Sequence, residues 1–366
     1  MKRWWDEART VVKKVVLGFG VLVALALTVA FAFQGPIGMQ LFRGAVAERF
    51  GAIAVPGLED GLHLGLCGTG SPLPNVNRAG PCNLVVAGER VFVVDIGEGA
   101  ARNLTLMGVD ATAIDALLLT HFHSDHVDGL GPLMLIHWVR DANTKPLMVH
   151  GPTGLAQVID GFNAAYATDD TYRTAHHGEE VAPPSGGGAM AREFEMTADA
   201  VTVLKEGDLT ITAFNVDHAP VSPAVGYRFN YKGRSLCISG DTAKSANLER
   251  ACKGVDILVH DALQPKMVKE LQTAAQERGN TIAARIFGDI LDYHASPEQG
   301  AESAQTAGAG MLVLSHLVPP LPTDYLYTAF LGDAPDRFDG PIVVGEDGML
   351  FSLPPNSNSI EQSELM

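Results

Sequence analysis

The sequence predicts an α/β sandwich domain that is preceded by a single apolar helix. Short apolar strands alternate with helical segments, and several strands pair as hairpins, which is typical of two sheets covered by helices. Residues 15–33 carry no charged side chain, which predicts the separate helix. The predicted boundaries are 1–33 for a membrane anchor or signal segment, 34–61 for a linker, 62–352 for the domain and 353–366 for a polar tail.

The apolar run at residues 15–33 is 19 residues long, close to the roughly 20 that a helix needs to span a bilayer. Five basic residues precede it: Lys2, Arg3, Arg9, Lys13 and Lys14. Basic residues before a span keep the N-terminus in the cytoplasm, so we expect a single-pass protein of the cell (inner) membrane with an exported catalytic domain. Ala30 and Ala32 form an A-x-A pattern, and cleavage there would instead give a periplasmic or secreted protein. A buried core helix is the other alternative, although such a helix usually has a polar stripe.

The remaining elements are predicted from alternating apolar residues and Gly or Pro turns. Strands are expected at 62–67, 83–88, 90–97, 114–120, 146–150, 256–262 and 311–316, and helices at 100–107, 154–166 and 296–307. Two hairpins are predicted, one turning at Glu206-Gly207-Asp208 and one at Lys232-Gly233. Residues 178–196 lack periodicity and are predicted to form a surface loop.

Amino-acid composition bears on which partners the protein can bind and on the role of its cysteines. The formal net charge of -16 argues against a partner held mainly through phosphate contacts, because such binding needs Lys and Arg. The four cysteines form no close pair, so we expect buried core residues and no cysteine zinc site. His63, His137 and His150 are predicted to be structural.

The strongest functional signal is HFHSDH, which directly follows the strand expected at 114–120. It supplies His121, His123, Asp125 and His126 within six residues. Imidazole and carboxylate are ligands that suit zinc, and these groups are costly to bury without a partner. The spacing therefore predicts a metal site, and Asp95 is expected to hold the metal loop by hydrogen bonding.

Further ligand-type residues follow other apolar strands. His218 follows ITAFNVD, Asp241 follows LCISG and His316 follows MLVLS. Each by itself would be an ordinary polar residue at a strand end. Because strand ends gather at one edge of a sheet, their shared placement predicts that they complete the metal site.

On these motifs the chain resembles the metallo-β-lactamase superfamily, and within it the ribonuclease Z and arylsulfatase-like branch. HFHSDH resembles the second motif of the family, Asp217-His218 the third, SGDT at 239–242 the fourth and SH at 315–316 the fifth. GTGSPLP followed by Arg78, and FVVDIGEGAARNL, resemble the opening of ribonuclease Z. The resemblance covers about residues 62–350 and implies an αββα metallo-β-lactamase sandwich.

The resemblance also implies a dinuclear centre with two zinc ions per chain. One zinc would be held by His121, His123 and His218, and the other by Asp125, His126 and His316, with Asp241 bridging. Nitrogen and oxygen ligands of this kind suit zinc, but they also admit manganese or iron.

Two more residues resemble a catalytic pair of ribonuclease Z. VHDA at 259–262 lies where that family has His-Glu-Ala-Thr, and the segment from His294 resembles its His-Ser-Thr segment. In the family, the Glu and the His help to protonate the leaving oxygen, and here Asp261 replaces the longer Glu. The alternative is that Asp261 and His294 only support the metal ligands.

The function predicted from the sequence is a phosphodiesterase or sulfatase-type ester hydrolase that acts on a small-molecule ester outside the cytoplasm. Two metals would make a hydroxide available near neutral pH. Asp125 would orient that nucleophile or accept its proton, and His294, backed by Asp261, would protonate the leaving group.

The first alternative is a ribonuclease Z-like tRNA 3′-processing endonuclease, which the motifs resemble most. Export and the acidic composition argue against a nucleic-acid partner, and segment 178–196 has only Arg192 where ribonuclease Z usually carries a long basic, glycine-rich arm. An alternative of another class is a metal-free binding module, against which the seven ligand-type residues argue. The oligomeric state does not follow from the sequence.

Overall fold

The structure is a computed structural model that describes residues 2–49 and 58–366. It divides the chain into two compact units, residues 1–52 and 53–366. The linker predicted over residues 34–61 includes 50–57, which lie outside the described residues.

The N-terminal unit consists of α1 (Lys2–Ala32) and α2 (Gln34–Arg49). The stretch Arg3–Ala32 is long and apolar enough to cross a membrane, with a mean hydropathy of 2.6 in its most apolar window. None of that window is buried within the structure, unlike a core helix of a globular domain. A signal sequence would have the same length and composition, so the helix by itself does not separate an anchor from a cleaved segment.

The second unit contains fifteen strands among the described residues. In chain order they are β1 (Leu62–Gly68), β2 (Cys82–Ala87), β3 (Arg90–Val94), β4 (Ile114–Leu118), β5 (Leu147–Pro152), β6 (Ala189–Phe194), β7 (Ala200–Glu206), β8 (Leu209–Asn215), β9 (Val225–Tyr231), β10 (Arg234–Ile238), β11 (Ile257–Leu263), β12 (Met311–Val318), β13 (Ile342–Val344), β14 (Met349–Leu353) and β15 (Glu361–Glu364).

Helices connect these strands and cover the sheets. They are α3 (Ala100–Leu106), α4 (Ser124–Val127), α5 (Leu130–Val139), α6 (Leu155–His177), α7 (Ala246–Ala251), α8 (Pro265–Glu277), α9 (Thr281–Asp289), α10 (Pro297–Ala307) and α11 (Tyr327–Leu331). Helix α10 begins with a capping box, in which Ser296 and Gln299 bond each other's backbone amides, as expected for a helix predicted to start at this serine.

The strands form two sheets. The first has the order β15-β14-β1-β2-β3-β4-β5-β6, and the second has the order β13-β12-β11-β10-β9-β8-β7. Strands β3 to β6 run parallel, as do β10 to β13, so the loops after their ends emerge on one edge of each sheet. Ligand-binding clefts of α/β proteins commonly lie at such edges.

Alternation of side chains creates three apolar layers. In β2, Val85 joins the core between the two sheets, while Leu84 and Val86 face the helices that cover the first sheet. The second sheet contributes Phe229 to the central core and Leu314 to the layer beneath its own helices. Both faces of each sheet are therefore buried, and the predicted αββα sandwich is confirmed.

The predicted surface loop at 178–196 is wrong for its last part. Residues 189–194 form β6, which pairs in parallel with β5 at the edge of the first sheet. An edge strand is buried on one face only, so the segment has too few apolar residues to be identified by composition. Helix α6 also continues to His177, well beyond the predicted end at 166. Within the predicted polar tail, β15 pairs with β14.

All four cysteines are buried as predicted, but they are not unpaired. Cys67 bonds Cys82, and Cys237 bonds Cys252, each across a sequence separation of 15 residues. The first bond joins the neighbouring strands β1 and β2, and the second joins β10 to the residue that ends α7. Spacing could not reveal these pairs, because only strand pairing and helix packing bring the sulfur atoms together.

Candidate metal centre

The first half of the site lies on the loop and short helix α4 that follow β4. His121 and His126 are almost fully buried, Asp125 is 9% exposed, and His123 is partly exposed. The loop packs closely against Gly97, where a Cβ atom would lie 2.4 Å from the carbonyl oxygen of Asp125. A larger residue at Gly97 would therefore displace the loop that carries these side chains.

The second half comes from three strands of the other sheet. His218 follows β8 and Asp241 follows β10, as predicted, whereas His316 lies inside β12. The pairing of β11 with β12 shifts at this point: Asp261 is opposite Ser315 and Ala262 is opposite Leu317, so His316 is the extra residue of a bulge. Its φ of 48° is left-handed, and such bulges turn a side chain away from its regular direction.

One group of ligand-type atoms joins the two halves around Asp241. His121 Nε2 lies 2.9 Å from His123 Nδ1, and His218 Nε2 lies 3.4 Å from the same atom. Asp241 Oδ2 lies 3.8 Å from His121 Nε2 and 3.9 Å from His218 Nε2. All four ligand atoms lie within 4.8 Å of one another and could hold one metal ion.

A second group lies on the other side of Asp241. His316 Nε2 is 3.2 Å from Asp125 Oδ2, and His126 Nε2 is 3.6 Å from that oxygen. These three residues could hold another ion. Asp241 approaches both imidazoles, with Oδ1 3.3 Å from His126 Nε2 and Oδ2 3.3 Å from His316 Nε2. A single carboxylate thus contacts both groups, which is the arrangement that a bridging ligand requires.

In the first half of the site, hydrogen bonds engage the Nδ1 atoms of His126 and His121. His126 Nδ1 donates to Asp95 Oδ2 over 2.8 Å. The Thr120 hydroxyl donates to the same carboxylate, so it can accept a bond from His121 Nδ1, 3.1 Å away. The Thr120 amide also donates to Asp95, which confirms the predicted role of Asp95 in holding the loop. Both Nε2 atoms are left with a lone pair for a cation.

In the second half of the site, a backbone carbonyl engages Nδ1 of His218. Its Nδ1 donates to the carbonyl oxygen of Tyr293 over 3.0 Å, which leaves Nε2 free to face Asp241. Neither Thr120 nor Tyr293 was among the residues predicted for the site. Tyr293 acts through its main chain, so its side-chain identity carries no signal, whereas the place of Thr120 directly before His121 could have suggested a supporting role.

The electrostatics of the groups favour a cation. His126 Nε2 and Asp241 Oδ1 are buried and, although they lie 3.3 Å apart, neither forms a hydrogen bond with any described residue. Burial opposes the charged form of both His126 and His316. Asp241 and Asp95 nevertheless raise the pKa of His126 well above its usual value. Asp241 and Asp125 likewise raise the pKa of His316 to about 9. Carboxylates that attract protons so strongly onto buried imidazoles will attract a metal ion to the same place, so the residues fit a metal centre.

At the other three imidazoles, the effect of burial outweighs that of the nearby carboxylates. It lowers the pKa of His121 well below its usual value, and it lowers the pKa of His218 and His123 to a smaller degree. These rings are neutral at physiological pH, which is the form that binds metals.

The pair Asp261 and His294 lies beside the second group. His294 Nδ1 donates to Asp261 Oδ2 over 2.9 Å, and Asp261 also accepts a bond from the Thr242 amide. The ring of His294 stacks on that of His316 with 5.2 Å between centroids. One His294 nitrogen lies within 4.8 Å of ligand atoms of Asp241 and His316, so the shorter Asp still brings the imidazole to the edge of the site.

A cavity of about 530 Å³ opens beside His218. The loop that follows β8 forms one wall, including Pro220 and Pro223, and Thr153 and Met196 come from the segments that follow β5 and β6. Among the described residues, the charged side chains of its lining are the carboxylates of Glu195 and Asp217. This cavity can receive a substrate group next to the metal residues.

Comparison with known proteins agrees with this geometry. The model of the beta-lactamase superfamily domain matches residues 90–317. A ribonuclease Z of Mycolicibacterium gilvum (strain PYR-GCK) is 37% identical over 284 residues, which cover 77% of this chain and 93% of the relative. A ribonuclease Z of Mycobacterium avium (strain 104) is 39% identical over 258 residues, covering 70% and 86%.

Solved structures share the fold at lower identity. The metallo-β-lactamase fold protein YhfI of Bacillus subtilis has a TM-score of 0.57 and 19% identity, covering 81% of this chain and 100% of that one. Human tRNase Z, short form, has a TM-score of 0.55 and 21% identity, covering 80% and 99%.

The sandwich and its buried histidine and aspartate groups define a metal-dependent hydrolase that acts on ester bonds. The chain belongs to the beta-lactamase superfamily, and its curated relatives there are ribonucleases Z.

Proposed function

We propose that this chain is a zinc-dependent phosphodiesterase that cleaves RNA in the manner of a ribonuclease Z. The observation that carries the proposal is the Asp261–His294 pair at the edge of the metal groups, in a chain whose relatives at 37% identity bear that name. The sequence had favoured a smaller ester and kept the ribonuclease as the alternative. The relatives support that alternative better.

The proposed centre would hold two zinc ions. His121, His123 and His218 would hold one, and Asp125, His126 and His316 the other. Asp241 would contribute to the centre, because its carboxylate contacts residues of both groups. When bound, two zinc ions activate a water near neutral pH and stabilise the negative charge that develops on the substrate.

The chain's own residues then have separate tasks. Asp125 orients the attacking water or accepts its proton, since its carboxylate faces His316 and His126 at the second group. His294 donates a proton from Nε2 to the leaving oxygen, because its Nδ1 is engaged by Asp261. Asp95 and Tyr293 keep His126 and His218 in the tautomers that the centre needs.

The test uses the full-length protein in detergent. About two zinc equivalents per chain are expected by elemental analysis, by analogy with two-metal hydrolases. A precursor tRNA with a 3′ trailer should be cut, and a chelator should abolish the cut until zinc is restored. Metal-free protein with unchanged activity would refute the zinc centre, whereas a zinc-loaded protein that leaves the RNA intact would refute only the substrate.

The second candidate is an exported phosphodiesterase or sulfatase-type hydrolase of a small ester. The cavity beside His218 favours it, because no Lys or Arg contributes to that lining and an RNA backbone would meet Glu195 and Asp217 there. The net charge of -16 also argues against an RNA substrate. Turnover of bis-p-nitrophenyl phosphate, p-nitrophenyl sulfate and a lactone by the zinc-loaded protein, together with intact precursor tRNA, would support this candidate.

For this second candidate, we also propose that the catalytic unit functions outside the cytoplasm, attached through α1 or released after cleavage near Ala32. The apolar stretch Arg3–Ala32 supports membrane targeting, and the two disulfides add an independent reason, because disulfides persist mainly in oxidising compartments. A reporter that is active only outside the cytoplasm, fused after Met366, should be active. Full-length protein recovered from the soluble cytoplasmic fraction with reduced cysteines would contradict export.

A further inference from the structure

A second cavity, of about 500 Å³, lies between the two sheets at the edge formed by β6 and β7. Its size is within the usual range for small-molecule sites, roughly 300–1,000 Å³. The lining includes Ile114 at the beginning of β4 and Pro146 just before β5, whereas His121 follows the end of β4. None of the proposed metal ligands contributes to it.

The inner surface of this cavity is apolar. Phe92, Met148 and Leu204 contribute to it, and all three pack in or against the core between the sheets. They alternate along β3, β5 and β7 with residues that face away, so the surface comes from both sheets. An apolar or planar part of a ligand would be buried here.

Two cations at the mouth have no counter-charge. Arg90 is neutralised, since it pairs with Asp115 at 2.8 Å and with Glu206. Lys145 and Arg192 are exposed and make no ion pair or side-chain hydrogen bond within the described ranges 2–49 and 58–366. On a chain with a net charge of -16, two uncompensated cations beside one cavity favour an anionic ligand.

A buried histidine points to the same conclusion. His150 is only 7% exposed and lines the cavity, and its ring forms no hydrogen bond with any described residue. His137 is 6% exposed, and its Nδ1 likewise has no partner among those residues. Buried polar groups are almost always hydrogen-bonded, so a ligand in the cavity can supply the partner that His137 Nδ1 lacks, and it can also bond the His150 ring. These histidines were predicted to be structural.

We propose that this cavity binds a small organic anion, with its charged group between Lys145 and Arg192 and its apolar part against Phe92, Met148 and Leu204. His150 hydrogen-bonds the ligand where the charged and apolar parts meet. Burial and the nearby Arg192 lower the pKa of His150, so the ring is neutral and offers one donor and one acceptor. The site is independent of the metal centre and of the proposed reaction.

The experiment follows methionine methyl groups by NMR in the zinc-loaded, full-length protein in detergent. Met148 and Met190 line the cavity, whereas Met107 and Met134 are buried beneath the helices of the first sheet and serve as internal references. Phenylphosphonate, benzoate and inorganic phosphate are the probes. Phenylphosphonate or benzoate should shift the Met148 and Met190 signals saturably, and phosphate should bind more weakly because it has no apolar part.

Substitutions then test which residues bind the charged group of the ligand. Arg192→Ala and Lys145→Ala should each raise the Kd about tenfold or more, the scale of losing one charge-assisted hydrogen bond, and Arg192→Lys should retain most of the affinity. Lys205→Ala is the matched control, since Lys205 lies on β7 between two lining residues but does not line the cavity. Unshifted Met148 and Met190 signals, an unchanged Kd in both alanine variants, or phosphate binding as tightly as phenylphosphonate would each overturn the proposal.

Discussion

The two halves of the metal centre are built in different ways. The half on the first sheet takes four residues from one hexapeptide, 121–126, and side chains hold it in place, mainly Asp95 and Thr120. The half on the second sheet takes its residues from three separate segments of the chain, and main-chain features orient two of them: the Tyr293 carbonyl for His218 and a bulge for His316. The first half is a compact motif that can be recognised from sequence, and mutation of the side chains that hold it should disturb it. The second half is assembled from distant segments, so its geometry depends on the strand register of the second sheet.

The largest effect should come from removing one imidazole from either half. His126→Ala and His316→Ala each take a ligand-type nitrogen from the same group, so turnover of bis-p-nitrophenyl phosphate should fall to background and zinc content should fall. His177→Ala, an exposed histidine at the end of α6, is the control and should match the wild type. Wild-type turnover in either variant would remove that half from the proposed centre.

The next largest effect is expected from His294, and it tests whether the second half of the site also supplies the general acid. His294→Ala should retain zinc and slow an alkyl phosphodiester by about 10²–10⁴-fold, the usual contribution of general acid catalysis. A nitrophenyl ester should be slowed much less, because nitrophenolate leaves without a proton. Asp261→Asn should show the same pattern more weakly, since it preserves the shape of the side chain that holds His294. If both substrates are slowed equally, His294 only supports the fold or the ligands.

A smaller effect tests the side-chain support of the first half. Asp95→Asn should weaken zinc binding by about 10–100-fold, because the amide no longer accepts the bonds of both Thr120 and His126 as the carboxylate does. Asn tolerates the left-handed φ of 59° at this position, so the backbone is preserved. Competition with a chromogenic chelator measures the affinity, with the exposed Asp199→Asn as control. Equal affinity in both variants would mean that the loop holds its own shape.

The smallest effect on turnover is expected from the disulfides, one between two strands of the first sheet and one that ties β10 of the second sheet to the end of α7. The Cys67→Ala/Cys82→Ala and Cys237→Ala/Cys252→Ala double variants should each lose about 2–4 kcal/mol of unfolding free energy, because both bonds close loops with a sequence separation of 15 residues. Urea unfolding of the oxidised proteins measures the loss. Similar losses support loop closure as the cause, and a loss confined to one pair would show that local packing decides.

Much of the fold could be predicted because its signals are local. Strands β8 to β11 were expected from runs of alternating or continuous apolar residues, and the turn residues marked both hairpins. Strand β6 and the end of α6 were missed, since half-exposed elements have weak patterns. The metal residues could be named because they follow apolar strands, and the resemblance to a family supplied their grouping.

Sequence alone predicts which side chains gather at the candidate metal centre, since HFHSDH and the residues after β8 and β10 are set by covalent order and strand period. The orientation of these side chains depends on the folded chain. The bulge at His316, the Tyr293 carbonyl on His218 and the pairing of the four cysteines all arise from strand register and packing between segments distant in the chain. The same holds for the cavity at the edge formed by β6 and β7, because folding pairs its carboxylates Asp115 and Glu206 with Arg90 and leaves Lys145 and Arg192 without an ion pair among the described residues.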